Sequence, residues 1–171
     1  EVDDATGEAD WTPRVLEEFE KRRGYDLRRH LAALLGKGTD DVSARVLADY
    51  RETISDLLLD TFTTEWAAWA RRHGREVRNQ AHGSPANILD LYGASDMPET
   101  EGAEIQRFKW ATSAAHVAGR RLVSAEAATW LGEHFRVRLA DVRTAVDRFF
   151  VAGVNHLVYH GTAYSPREGT W

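Results

Sequence analysis

The period of the apolar positions changes along this chain. Val15, Leu16 and Phe19 give an apolar side to a helix that Thr12-Pro13 opens and Gly24 ends. Leu27 to Leu35 reads as a second, short helix closed by Gly36-Lys37-Gly38. Thr39-Asp40-Asp41 caps a long helix whose stripe runs through Val46, Tyr50, Ile54, Leu57, Leu58, Phe62, Trp66 and Trp69 to Arg72. The β-branched residues between Thr61 and Thr64 predict a bend in it, and Trp66 and Trp69 are expected in the core. Beyond Glu76 four short runs read as strands, near Val77 to Ala81, Gly93 to Met97, Leu122 to Ser124 and Asn155 to Tyr159. Helices separate them: one from Ser84-Pro85 to Leu91, one from Ile105 to Ala118 before Gly119, and one from Leu139 to Ala152 before Gly153. Glu1 to Asp10 and Gly161 to Trp171 read as loops.

Strand and helix in alternation, joined by right-handed crossovers, predict an α/β fold with a parallel sheet. Four such strands make half of a (β/α)8 TIM-type barrel. A half barrel has open edges and a bare sheet face. Residues 1–171 are therefore expected to form a single segment, the C-terminal half of a larger barrel whose other strands precede Glu1.

Composition narrows the picture. The 171 residues are 43% hydrophobic, enough for a core. The net charge is −5 with Lys and Arg dispersed among acids, which offers no concentrated basic face for nucleic acid. With no cysteine, disulfides and thiolate metal sites are excluded, while the compartment stays open. The stretch from Phe149 to Pro166 has no Asp, Glu, Lys or Arg, but its histidines, asparagine and glycines fit a helix end and a buried strand better than a membrane span. No signal peptide is visible, and a chain that starts without Met leaves its significance open.

Candidate chemistry collects at the strand ends: Asp96-Met-Pro-Glu-Thr-Glu101, Leu122-Val-Ser-Ala-Glu126 and Asn155-His-Leu-Val-Tyr-His-Gly161. Parallel α/β barrels build their sites from such tips. Glu99 and Glu101 alternate, so a continuing strand would point both the same way, although a solvated acidic loop explains them equally well. Glu126 lies among small residues with Trp130 nearby. A carboxylate at the end of an apolar strand is costly without a purpose, and Trp can stack on a sugar; this outweighs a simple N-cap for a helix starting at Ala127. His82, His156 and His160 do not form a known zinc spacing, so hydrogen bonding to substrate or carboxylate is preferred over ligation. His116 and His134 read as structural. No serine-hydrolase elbow, phosphate loop or dinucleotide fingerprint is present.

Several runs together carry a resemblance. They are Trp11-Thr-Pro-Arg14, Arg23-Gly-Tyr-Asp26, Gln80-Ala-His-Gly-Ser-Pro-Ala-Asn87, Asp96 to Glu101, Ser113-Ala-Ala-His-Val-Ala-Gly119, Val123-Ser-Ala-Glu126, Gly153-Val-Asn-His156 and Tyr159-His-Gly-Thr-Ala-Tyr164. In this order they resemble the α-L-rhamnosidases of glycoside hydrolase family 106, over nearly the whole chain. The resemblance implies a (β/α)8 catalytic barrel, removal of terminal α-L-rhamnose with inversion, and calcium near the sugar site. It implies Glu1, with Glu8 as substitute, as general acid after the fourth strand, and Glu126 as general base after the seventh. Glu101, with Glu99 as its alternate, matches a third carboxylate. Substrate contacts are expected from His82, Glu99, Trp130, His156, His160 and Tyr164; which residues ligate a metal is left unknown. The partners are a rhamnose-containing glycoside or polysaccharide and the rest of the barrel. An isolated half barrel is expected to be inactive, and a secreted or periplasmic location suits the full-length protein. A retaining glycosidase of other specificity, or a non-catalytic carbohydrate-binding or structural segment, is the alternative.

Overall fold

A computed structural model describes residues 10–38, 40–130 and 136–161. The helical first half comprises α1 (Val15–Arg23), a 3₁₀ turn (Leu27–His30), α2 (Leu31–Leu34), α3 (Asp41–Leu57) and α4 (Thr64–Arg72). Asp40 caps α3, its carboxylate accepting from the Ser43 N–H at 2.7 Å. Gly24 ends α1 in the left-handed conformation. Phe19, Leu27, Ala33 and Val46 form a small core among these elements. Where the sequence predicted a bend, a π-helical turn, Leu58–Thr63, joins α3 to α4. The Thr61 hydroxyl donates to the Leu57 carbonyl at 2.7 Å within it.

The second half alternates strictly: β1 (Arg78–Gln80), α5 (Ile88–Ala94), β2 (Met97–Thr100), α6 (Ile105–Val117), β3 (Ser124–Ala127), α7 (Leu139–Ala152) and β4 (His156–Tyr159). The strands pair in chain order, all parallel, as in half of an eight-stranded barrel. The register sets Gln80 beside Glu99, Glu99 beside Ser124, and Ser124 beside His156.

Strand parity separates chemistry from packing. Ala125 and Ala127 face the helices and join Leu91, Tyr92, Phe108, Ala111 and Phe149 in the main core. The Phe108 and Phe149 rings, on α6 and α7, meet at 4.2 Å between centroids. Ser124 and Glu126 point the other way. Asp96 fastens the opposite end of the sheet: it accepts from Arg71 of α4 at 2.8 Å and from the Val77 N–H at 3.0 Å. Burial alone would raise its carboxyl, but these bonds and the nearby Arg71 and Arg120 charges hold it below the usual carboxylate range.

Three expectations are corrected. The second strand is not Gly93 to Met97: α5 continues to Ala94 and the strand is Met97–Thr100. The third begins at Ser124 rather than Leu122, so Glu126 lies inside it and no helix starts at Ala127. Trp66 and Trp69 are not core residues: their relative exposures are 37% and 53%. They sit on the outer side of α4, whose buried positions are Ala67 and Ala70. Among the described residues no helix is long and apolar enough to cross a membrane. His116 is exposed on α6, whereas His134 lies outside the described residues.

Candidate active site

The sheet face turned away from the helices is polar, and its side chains are linked. Gln80 of β1 donates through Nε2 to Glu99 Oε1 at 3.0 Å and to Glu126 Oε2 at 2.9 Å. One amide thus uses both hydrogens to join two carboxylates on different strands. Its carbonyl oxygen is buried with no hydrogen-bond partner among the described residues.

Glu99 is the centre of this network. Only 5% of the residue is exposed. Besides Gln80, it accepts from the Ser124 hydroxyl at 2.5 Å and pairs with Arg78 Nε at 3.1 Å. The Ser124 proton is committed to Glu99, so the hydroxyl oxygen accepts from His156 Nδ1, 3.1 Å away. Arg78, Glu99, Ser124 and His156 therefore form one polar layer across all four strands.

A second layer lies nearer the C-terminal ends. His82, just past β1 and buried, places Nε2 3.1 Å from Glu101 Oε1. Its Nδ1 lies 3.5 Å from the buried Tyr92 hydroxyl. His160, just past β4, is exposed, with Nε2 3.7 Å from Glu126 Oε1. The Thr129 hydroxyl lies 3.5 Å from the same oxygen. Ala128, two residues past Glu126, has φ 64°, a conformation costly for a residue with a Cβ.

Glu101, Glu126 and Trp130 also line a groove of about 700 Å³ between the strand ends and helices α6 and α7. The sequence-predicted Glu99, Glu101, Glu126, His82, His156 and His160 thus share one face of the sheet, and Trp130 stands at its rim. Glu1, Glu8 and Tyr164 lie outside the described residues. Sequence reasoning missed Gln80, Arg78 and Ser124. Their signal was parity: each sits on the same strand face as the acids.

The model of the α-L-rhamnosidase family, glycoside hydrolase family 106, matches residues 3–170. The chain belongs to this family. A solved structure, the rhamnosidase from Novosphingobium sp. PP1Y, is similar to this family member with a TM-score of 0.78 and 32% identity, over 95% of this chain and 17% of that one. A protein of Formosa agariphila named "Putative beta-glucuronidase" is 27% identical over 170 residues, 94% of this chain and 14% of that protein. The family 106 chain therefore spans a small part of the length of either relative.

Proposed function

We propose that this chain is part of the catalytic barrel of an α-L-rhamnosidase, which removes terminal α-L-rhamnose from a glycoside or polysaccharide. What carries the reading is the meeting of Glu99, Glu101 and Glu126 on one sheet face at the end where barrel enzymes react, in a chain of this family. In the mechanism Glu126 is the general base: it takes a proton from the water that attacks the anomeric carbon. Gln80 and Thr129 fix its orientation. Glu99, spent on Arg78, Gln80 and Ser124, positions the layer beneath. Glu101, steadied by His82, faces the sugar.

The general acid is assigned to Glu1, by resemblance. An inverting pair stands about 6.5–9.5 Å apart to admit the water, against about 5–5.5 Å for a retaining pair. Among the described residues no group of three or more His, Asp or Glu side chains could hold calcium. No step is routed through it.

The full-length protein should hydrolyse p-nitrophenyl α-L-rhamnoside and release β-rhamnose first, as followed by proton NMR. Initial release of α-rhamnose would replace inversion with retention. Cleavage of p-nitrophenyl β-D-glucuronide instead, in line with the name of the Formosa relative, would replace the substrate assignment.

A further inference from the structure

The long helix that leads into β1 keeps an aromatic flank in the open. Phe62, Trp66 and Trp69 are all exposed, although large aromatic side chains gain most from burial. The Phe62 and Trp66 rings lie 5.8 Å apart between centroids, and the Trp69 ring lies 4.5 Å from that of His73. With Thr61, Glu65 and Arg72 the three aromatics line a groove of about 410 Å³.

Helix geometry says where that flank points. At 3.6 residues per turn, successive side chains of α4 are about 100° apart. The buried Ala67–Ala70 stripe packs on Val77, at the foot of β1. Glu65 and Arg72 fall about half a turn from that stripe, on the side a barrel helix gives to solvent, and both are exposed. Arg71 falls about a quarter-turn to one side of the stripe, and there it reaches Asp96 at the foot of β2. That flank of α4 therefore points along the sheet toward β2. Trp66 and Trp69 fall about a quarter- to a third-turn to the other side, so they point past β1. β1 is the edge of the sheet, with no strand on its outer side among the described residues.

The rest of the sheet shows what fills the equivalent place. α5, α6 and α7 each lead into the next strand, and they pack in sequence, α5 on α6 and α6 on α7. α4 leads into β1 in the same way, and among the described residues it has no such neighbour on its aromatic flank. A protein of the length of the Novosphingobium rhamnosidase has room for one, because this chain covers 17% of that protein.

We infer that the flank formed by Phe62, Trp66 and Trp69 is the seam to the helix–strand unit that precedes Glu1 in the full-length protein. The strand of that unit adds to the free edge of β1, and the helix leading into it lies along α4 and covers the two indoles. Helices pack at about 8–10 Å between axes, so the facing helix carries small or aliphatic residues where the indoles enter. The inference rests on the proposed reading of the chain as part of a catalytic barrel. It bears on catalysis, because that strand ends at the residue assigned as general acid. The seam thus holds the acid's strand in place across from Glu126.

Hydroxyl-radical footprinting of the full-length protein, read by mass spectrometry, is the test. Trp66 and Trp69 should oxidise at least tenfold more slowly in the folded protein than in urea, at low protein concentration and without carbohydrate. A smaller slowing at either residue leaves the flank open and overturns the seam. Slowing that needs high protein concentration assigns the flank to a second copy, and slowing that needs added rhamnose-containing polysaccharide assigns it to a glycan; both overturn the seam as well. Photo-cross-linking from Trp69→p-benzoyl-phenylalanine in the full-length protein then locates the occupant, with the same substitution at Trp66 used if that variant does not fold. The expected adduct joins residues that precede Glu1 in the same polypeptide, and an adduct elsewhere, or none, overturns the assignment. Hydrolysis of p-nitrophenyl α-L-rhamnoside by the same preparation is read separately. Activity with unprotected indoles removes the seam and leaves the rhamnosidase reading standing. Protected, cross-linked indoles without activity leave the seam standing and remove that reading.

Discussion

Replacing Gln80 by Leu removes a single amide and loosens three strands. The substitution keeps the approximate shape of the side chain and deletes both donors, at 3.0 Å to Glu99 and 2.9 Å to Glu126. A hydrogen bond to a charged group contributes about 1.5–3 kcal/mol. The two losses are unequal. Water replaces the bond at the partly exposed Glu126, whereas the buried Glu99 keeps only Arg78 and Ser124. Deleting the buried Gln80 carbonyl, which has no partner among the described residues, returns about 1 kcal/mol or more. The net cost is about 2 kcal/mol, localised to the β1–β3 sheet. Native-state hydrogen exchange of the full-length protein reads this directly: amide protection in the three strands should fall roughly 30-fold, at about 1.4 kcal/mol per factor of ten. A double-mutant cycle with Glu126→Gln should give a coupling of about 0.5–3 kcal/mol. Protection within threefold of the parent, together with zero coupling, would refute the bridge.

Glu126→Gln in the full-length protein should lower kcat by about 10²–10⁴-fold while far-UV dichroism is unchanged, since the amide keeps the shape and loses the base; near-normal turnover of an activated rhamnoside contradicts the role. Glu1→Gln should impair natural rhamnosides far more than those with acidic phenol leaving groups, which depart without protonation; equal losses on the two shift the acid role to Glu8 or Glu101. Asp96→Asn should destabilise the β1–β2 end by about 1–2 kcal/mol, discounted because Arg71 is half exposed. Because the folded Asp96 carboxyl lies below its ordinary value, its contribution is full above about pH 4 and fades as pH falls through the lowered folded value. Acid titration of the parent and variant stability curves should therefore converge at low pH, and a constant gap between them would sink the assignment.

The helices were the most legible part of the chain. α7 spans Leu139–Ala152 as read, because a sustained stripe and a terminal glycine mark both ends. The clustered threonines marked where the long helix departs from α geometry, although not its π-helical form. The strands were harder to bound. Pro98 cannot donate to a ladder, yet it lies inside β2, opposite Asn79, one residue past the end read for that strand. Ser124-Ala-Glu-Ala127 has little β-propensity, and pairing on both sides makes it a strand nonetheless. The acids of the site were readable as residue types at strand tips. Gln80 and Ser124 were not, because their role exists only once the register sets them beside Glu99. Trp66 and Trp69 were misjudged because the helical stripe is wider than the buried one, which α4 fills with Ala67 and Ala70.

The division of the sheet into an apolar back and a polar front has a consequence for how such a protein can change. Its tight packing, from Phe108 and Phe149 to Ala125 and Ala127, lies behind the strands. A substitution there opens a cavity or forces a clash, at several kcal/mol. On the front the constraint is the pairing of donors with acceptors, which an exchange of one polar residue for another can rewire without moving the backbone. Affinity for a new sugar can therefore drift along the front of the strands while their backs stay fixed, so diversification of substrate need not erode the scaffold that holds the reacting groups.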